Sequence, residues 1–192
     1  MSRRFVLARL ASVGLRIFSV VALLVNLTAS AASGPTEYQV KAAFVFNFVK
    51  FTDWPATGFT NSKAPIIIGV VWENPFGHTL EDLVKDELVY GRSLVVRHFQ
   101  PEEDFSASHV LFISRAEKEW LPALLASLKN KLVLTVGDLD RFCEQGGMIN
   151  LVLSSSGTVQ PEINPAAARL TGVQISSKLL NLPTMRLVQT ER

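Results

Sequence analysis

From Glu37 to Phe51 the chain reads EYQVKAAFVFNFVKF. Apolar residues recur at Val40, Phe44, Phe48 and Phe51, and a second stripe holds Ala43, Phe46 and Val49. Together the stripes cover most of a helix's circumference, which predicts a largely buried helix. Thr36, with Gln39 three residues on, forms a partial capping box at its start, and Pro55 bars its extension. Pro65–Trp72, PIIIGVVW, is a continuous run rich in β-branched residues, the mark of a strand buried on both faces. Asn74-Pro75 signals a turn, and the helix predicted after it carries Leu80, Leu83, Val84 and Leu88. GRSLVVRHF reads as the next strand, and Ser108–Ser114, SHVLFIS, as another buried one. EKEWLPALLASLKN is a helix with Pro122 near its first turn, where proline is tolerated. KLVLTVGD is a fourth strand ending in a Gly-Asp turn.

The last third changes character. GGMINLVLSSSGTVQPEIN predicts two strands joined at Ser155-Ser156-Gly157. NPAAARLTG predicts a short helix with Asn164 as N-cap, Pro165 at its first position and Gly172 past its end. SSKLLNL allows one more turn. Strands alternating with helices predict an α/β fold: a single layered domain with a mostly parallel central sheet flanked by helices and a late antiparallel hairpin. Residues 32–192 form that one domain, with no repeat, linker or low-complexity stretch.

The first 31 residues stand apart. A basic stretch leads into the apolar run Ile17–Leu27, then TASAASG, where Ala29-Ser30-Ala31 fits the small-x-small rule of a secretory signal. Cleavage is expected after Ala31 or Ala32. The run has 11 residues, whereas a membrane span needs roughly 20. The alternative is an uncleaved anchor. Four of the 19 basic residues (Arg3, Arg4, Arg9, Arg16) lie here among no acids, so the rest carries 15 basic against 17 acidic groups, a net of −2. Such a chain has no electrostatic footprint for nucleic acid. Cys143 is the only cysteine of the 192 residues, which excludes an internal disulfide and leaves a buried thiol or an intermolecular bridge.

The inventory of reactive groups points away from catalysis. His78, His98 and His109 have no metal-like partner at i+3 or i+4. Nucleophile-elbow and phosphate-loop motifs are absent. Ser176-Ser177-Lys178 invites a serine–lysine dyad, but the spacing is wrong for one, and a helix cap beside a solvated lysine accounts for it. Acidic pairs fall on predicted turns and helix faces, where charges are usually solvated. A small exported α/β domain with no nucleophile–base pair and no cofactor motif reads as a binding protein.

Two stretches add a resemblance. EYQVKAAFVFNFVKFTDWP resembles the opening of the YfiR/HmsC-like family of exported bacterial proteins, and GGMINLVLSSSGTVQPEINPAAARLTGVQISSKLLNL resembles its closing block. The resemblance spans about Glu37 to Leu182. It implies a periplasmic regulator that binds the periplasmic domain of an inner-membrane diguanylate cyclase and represses it, controlling cyclic di-GMP and biofilm formation. It also implies an outer-membrane lipoprotein that sequesters the repressor. Some members pair a cysteine like Cys143 with a later one; here the later stretch is GGMINL, so that bridge is missing. Gln160-Pro161-Glu162 also departs from the usual aromatic before the glutamate. A second copy of the chain is left open as a partner, and a periplasmic small-molecule-binding module without a cyclase partner is the competing reading.

Within that resemblance the closing block is the expected partner-binding surface. It offers two short helix starts, at Asn164 and Ser176. It also holds exposed-looking, solvated charge of both signs, Glu162, Arg169 and Lys178, beside apolar Ile163, Leu179 and Leu180, the mixture an interface core and rim requires, and Ser176 and Ser177 complete the candidate set. The alternative is that the block only closes the sheet, since Ile175, Leu179 and Leu182 have helical spacing suited to packing.

Overall fold

The computed structural model describes residues 34–100 and 102–188. The expected signal segment, residues 1–31, lies outside the described residues. The first helix, α1, spans Glu37–Lys50. Its capping box is complete: the Thr36 hydroxyl accepts the Gln39 N–H at 3.3 Å, and the Gln39 side chain accepts the Thr36 N–H at 2.8 Å. Ala42, Val45, Phe46, Phe48 and Val49 are buried, while Phe44 is half-buried.

Beyond α1 the chain runs through β1 (Thr52–Asp53), β2 (Ile66–Val71), α2 (Thr79–Val84), β3 (Leu88–Val89), β4 (Arg92–Phe99) and β5 (Val110–Ile113). A 3-10 segment, Arg115–Trp120, leads into α3 (Leu121–Ser127), followed by β6 (Leu134–Gly137), β7 (Ile149–Leu153) and β8 (Val159–Ile163). The chain closes with α4 (Pro165–Thr171), β9 (Gln174–Ile175), α5 (Ser177–Leu180) and β10 (Arg186–Leu187). Eight strands form one sheet in the order β10-β8-β7-β6-β5-β2-β4-β3, and β1 pairs antiparallel with β9. The central strands β4, β2, β5, β6 and β7 are parallel; β8 returns antiparallel to β7 as the late hairpin, and β3 caps β4.

The two faces of the sheet have separate cores. Ile66, Ile68, Val70, Val110, Phe112 and Val136 pack with the apolar residues of α1 and α2. Val71, Leu111 and Ile113 point the other way, against Leu121 and Leu124 of α3. The expected architecture is the observed one. A topological consequence bears on function. The chain leaves β2 toward the α1/α2 face, but leaves β5 toward the α3 face. The connections therefore diverge between β2 and β5 at their carboxyl ends, the place where open α/β sheets bind ligands.

One element differs from expectation. The helix after Asn74-Pro75 stops at Val84, because Lys85 is extended (ψ 129°) and Asp86 takes a left-handed φ of 61°. Leu88, expected on its apolar stripe, instead sits exposed on β3. The edge strand β10 and the β1–β9 pair are two residues each, too short for a periodicity to reveal.

Candidate functional site

The carboxyl ends of the parallel strands hold an ionic cluster. Asp138 follows β6 and Arg115 follows β5, while Glu37, Tyr38 and Lys41 lie on the first turns of α1. Lys41 is 0% exposed, and so is the side chain of Asp138. The Lys41 ammonium donates to Asp138 at 2.6 Å and to Glu37 at 2.5 Å. Asp138 also accepts the Tyr38 hydroxyl at 3.0 Å, the Arg115 backbone N–H at 2.7 Å and the Arg115 guanidinium at 3.2 Å. Arg115 pairs with Glu37 as well, and half of its side chain remains exposed. Burial pushes the Glu37 carboxyl up, but the hydrogen bonds and charges of Lys41 and Arg115 outweigh it and hold the group below its usual range. Burial and the adjacent Asp138 charge push the Tyr38 phenol up to about 12. The cluster pairs two cations with two anions and leaves Asp138 fully solvated by protein donors. It ties the start of α1 across the ends of β5 and β6.

Beside it lies an aromatic corner. Trp72, just past β2, takes a left-handed φ of 51°, strained for a bulky side chain. Its ring meets Trp120 at 5.6 Å with an interplanar angle of 86°. Trp120 is 59% exposed. Glu117, one 3-10 turn before Trp120, is buried and accepts the Ser114 hydroxyl at 2.5 Å. It also accepts the backbone N–H of Glu73, the residue after Trp72. Burial pushes the Glu117 carboxyl up against these hydrogen bonds, and the charge of Glu73 pushes the same way. Nothing in the local sequence pattern marks Lys41, Asp138 or Glu117, because each meets its partner only through the fold.

The closing block is folded as its caps imply. Asn164 caps α4 by accepting the Ala167 N–H at 3.1 Å, Pro165 stands in the first turn, and Gly172 ends the helix with φ 82°. Ser176 caps α5 by accepting the Lys178 N–H at 3.3 Å. The six expected contact residues do not share one surface. Ile163 is fully buried in the core beneath α1, so it is no interface residue in this conformation. Glu162 points to the opposite face of β8; it is 8% exposed and ion-paired with Arg186 of β10. Its reading as a solvated charge is corrected on that ground. Ser177, Lys178 and Arg169 are exposed and Ser176 is half-buried.

Arg169 does stand on a large groove. A cavity of about 900 Å³ runs between the end of α3 and the outer side of α4, lined among others by Leu125, Lys129, Met148, Arg169, Leu170 and Leu187. Leu170 is 79% exposed, far more than an isolated core helix would leave a leucine. Its described lining contains two cations and no acid, and neither Lys129 nor Arg169 joins an ion pair among the described residues. The exposed residues of α4 that make this wall lie inside the closing block, but nothing in the sequence sets Leu170 apart from the apolar residues that fill the core.

The remaining chemistry is structural. The Cys143 thiol is buried, faces the carbonyls of Met148 and Glu162, and is pushed up to about 12, mainly by burial. His109 accepts the Ile67 N–H on Nδ1 at 3.1 Å, and its Nε2 meets the Gly58 carbonyl at 3.1 Å, where only a donor fits. That geometry makes it a neutral imidazole, and burial holds its pKa below the usual value. His98 pairs with Glu81 at the surface.

A family model for YfiR/HmsC-like proteins matches residues 38–184. The match takes in α1 from its second residue, the strands from β1 to β9 with the hairpin, and α5, and stops short of β10. The chain belongs to the YfiR/HmsC-like family. Membership points to regulation of cyclic di-GMP signalling, a regulatory class of protein and not a catalytic one. No curated protein matches the chain significantly.

Proposed function

We propose that this chain is a periplasmic repressor that binds the periplasmic domain of an inner-membrane diguanylate cyclase and lowers cyclic di-GMP. The observation that carries the reading is family membership over residues 38–184. The groove supports it physically. Its apolar wall, with Leu170 and Leu187 standing out from the surface, offers contact area, and Lys129 and Arg169 on its rim favour an acidic segment. Repression then follows from differential affinity: the chain binds the inactive conformation of the cyclase better than the active one and shifts the balance toward it. An outer-membrane lipoprotein that occupies the repressor would relieve that bias by mass action.

In this reading the contact residues are Arg169 and Leu170, with Lys178, Ser176 and Ser177 on the neighbouring α5 surface. Glu162 contributes from beneath by holding Arg186 on β10. The test is cellular. Deleting the gene should raise cyclic di-GMP, measured by mass spectrometry of cell extracts. Wild-type chain should restore the low level, and Leu170→Asp should not, although it is made and exported normally. An unchanged cyclic di-GMP level on deletion would remove the proposal.

A further inference from the structure

We propose that the α3–α4 groove also binds a free single-chain amphiphilic anion of the alkyl carboxylate type. The groove is the one assigned above to the cyclase, so the regulatory part of this inference rests on that reading, while the binding itself does not. Three observations carry it. The first is room. The cavity of about 900 Å³ falls within the ~300–1,000 Å³ of sites that hold small molecules.

The second is the wall. Leu125 from α3, Met148 ahead of β7, Leu170 from α4 and Leu187 from β10 meet around one cavity although they are distant in sequence. Leu170 is the most exposed large hydrophobic residue among those described, and Leu187 is exposed as well. Both hold apolar surface in water, and an alkyl chain laid against them removes it. Met148, unbranched and polarisable, suits a ligand tail of variable shape.

The third is charge. Lys129, just past the end of α3, and Arg169 on α4 line the same cavity, and both are exposed. Neither joins an ion pair among the described residues, and the described lining holds no acid. Beyond residue 31 the chain has 17 acidic against 15 basic groups, so the groove carries the opposite sign to the domain around it. An anionic head is drawn to such a place, and the guanidinium of Arg169 presents paired donors that match a carboxylate.

Wall and charge together select the occupant. A neutral alcohol uses the leucines and leaves the cations idle. A small inorganic anion does the reverse, and an alkyl cation is repelled. An acidic, partly apolar segment of a cyclase has the same head-and-tail chemistry, so the two exclude one another. Occupancy by the amphiphile then relieves repression by mass action.

The probe is decanoate, kept below its micellar concentration and titrated by calorimetry into the purified full chain. Saturable binding is expected with a dissociation constant of about 0.05–1 mM, the range that ligand efficiency sets for a molecule of this size. Affinity should rise about 2–4-fold for each methylene added from octanoate to dodecanoate. Decanol should bind at least ~5-fold more weakly than decanoate, and decyltrimethylammonium more weakly still. Arg169→Glu should weaken decanoate at least ~5-fold and leave decanol unchanged, a split that a merely structural defect does not produce. Leu170→Asp should weaken both ligands. No saturation by ~10 mM decanoate, equal affinity for decanol, or undiminished decanoate binding by Arg169→Glu would each overturn the assignment. Binding to phosphatidylglycerol vesicles with none to monomeric decanoate would also overturn it, in favour of a membrane surface. Saturating decanoate should release a cyclase retained on the immobilised chain, and butyrate should not; decanoate that binds and leaves the cyclase in place would overturn the shared groove. Retention of a cyclase by a chain that fails to bind decanoate would sink this inference and leave the proposed repression standing, whereas decanoate binding with no cyclase retained would do the reverse.

Discussion

Replacing Asp138 by asparagine probes what holds α1 to the sheet. The side chain is 0% exposed and receives Lys41, Tyr38 and both backbone and side chain of Arg115. Asparagine keeps the shape but removes the charge and turns one acceptor into a donor facing donors. Lys41, itself 0% exposed, then keeps only Glu37, which is partly in solvent. Removing one partner of a buried pair costs about 3–5 kcal/mol, because the remaining charge stays buried without compensation. For a domain of this size, 1 kcal/mol corresponds to roughly 2–4 °C, so Asp138→Asn should lower Tm by about 6–20 °C. Lys41→Met should cost less, about 1–3 kcal/mol, since Asp138 retains Tyr38 and Arg115 and the methionine fills the space of the stem. The double variant should lose less than the sum of the two, with a coupling above about 1 kcal/mol. Thermal and urea unfolding followed by circular dichroism give all three numbers. A Tm change under about 3 °C for Asp138→Asn, or additive losses, would refute the claim that this cluster anchors the helix.

Three further outcomes follow from the same geometry. The Glu37 carboxyl is held below its ordinary value of 4.5; its stabilisation is therefore present above 4.5 and lost as the pH falls through the lower folded value. Tm measured against pH should drop on that acid side, and Glu37→Gln should flatten the drop; an unaltered acid limb would count against it. Cys143, buried with its thiol pushed up to about 12, should resist thiol reagents at neutral pH until the protein unfolds; rapid labelling of the native chain would contradict its burial. Glu162→Lys should place a cation against Arg186 and lower stability by about 1–3 kcal/mol, while Lys178→Glu, exposed and without a described ion pair, should stay within about 0.5 kcal/mol. Equal stability of the two variants in urea unfolding would show that the Glu162–Arg186 pair contributes nothing.

What the chain reveals by pattern is its frame. PIIIGVVW and SHVLFIS become β2 and β5 because unbroken β-branched runs suit strands covered on both faces. Thr36 with Gln39, and Asn164-Pro165 with Gly172, set helix limits that the structure reproduces almost residue for residue. The candidate sites are a different matter. Lys41 sits within a helix that reads as apolar, and its partner Asp138 is 97 residues away. Its burial depends on β6 delivering an aspartate to the right height, a relation that no local spacing records. Glu162 looks like a solvated charge, yet the β8–β10 register sets it beside Arg186 on a two-residue strand too short to be foreseen. Leu88 shows the same limit in reverse, since two backbone conformations at Lys85 and Asp86 override a correct helical spacing.

Binding of a diguanylate cyclase in the α3–α4 groove, as proposed, can be tested directly. The most direct measurement is co-purification from a solubilised membrane extract of the native host, using tagged wild-type chain and its Arg169→Glu and Leu170→Asp variants, with mass spectrometry of the retained proteins. The account predicts that a membrane diguanylate cyclase is retained by the wild-type chain and lost with both variants, each of which keeps the wild-type Tm within about 2 °C because both positions are exposed. Absence of any diguanylate cyclase from the wild-type eluate, or its equal retention by both variants, would contradict the account.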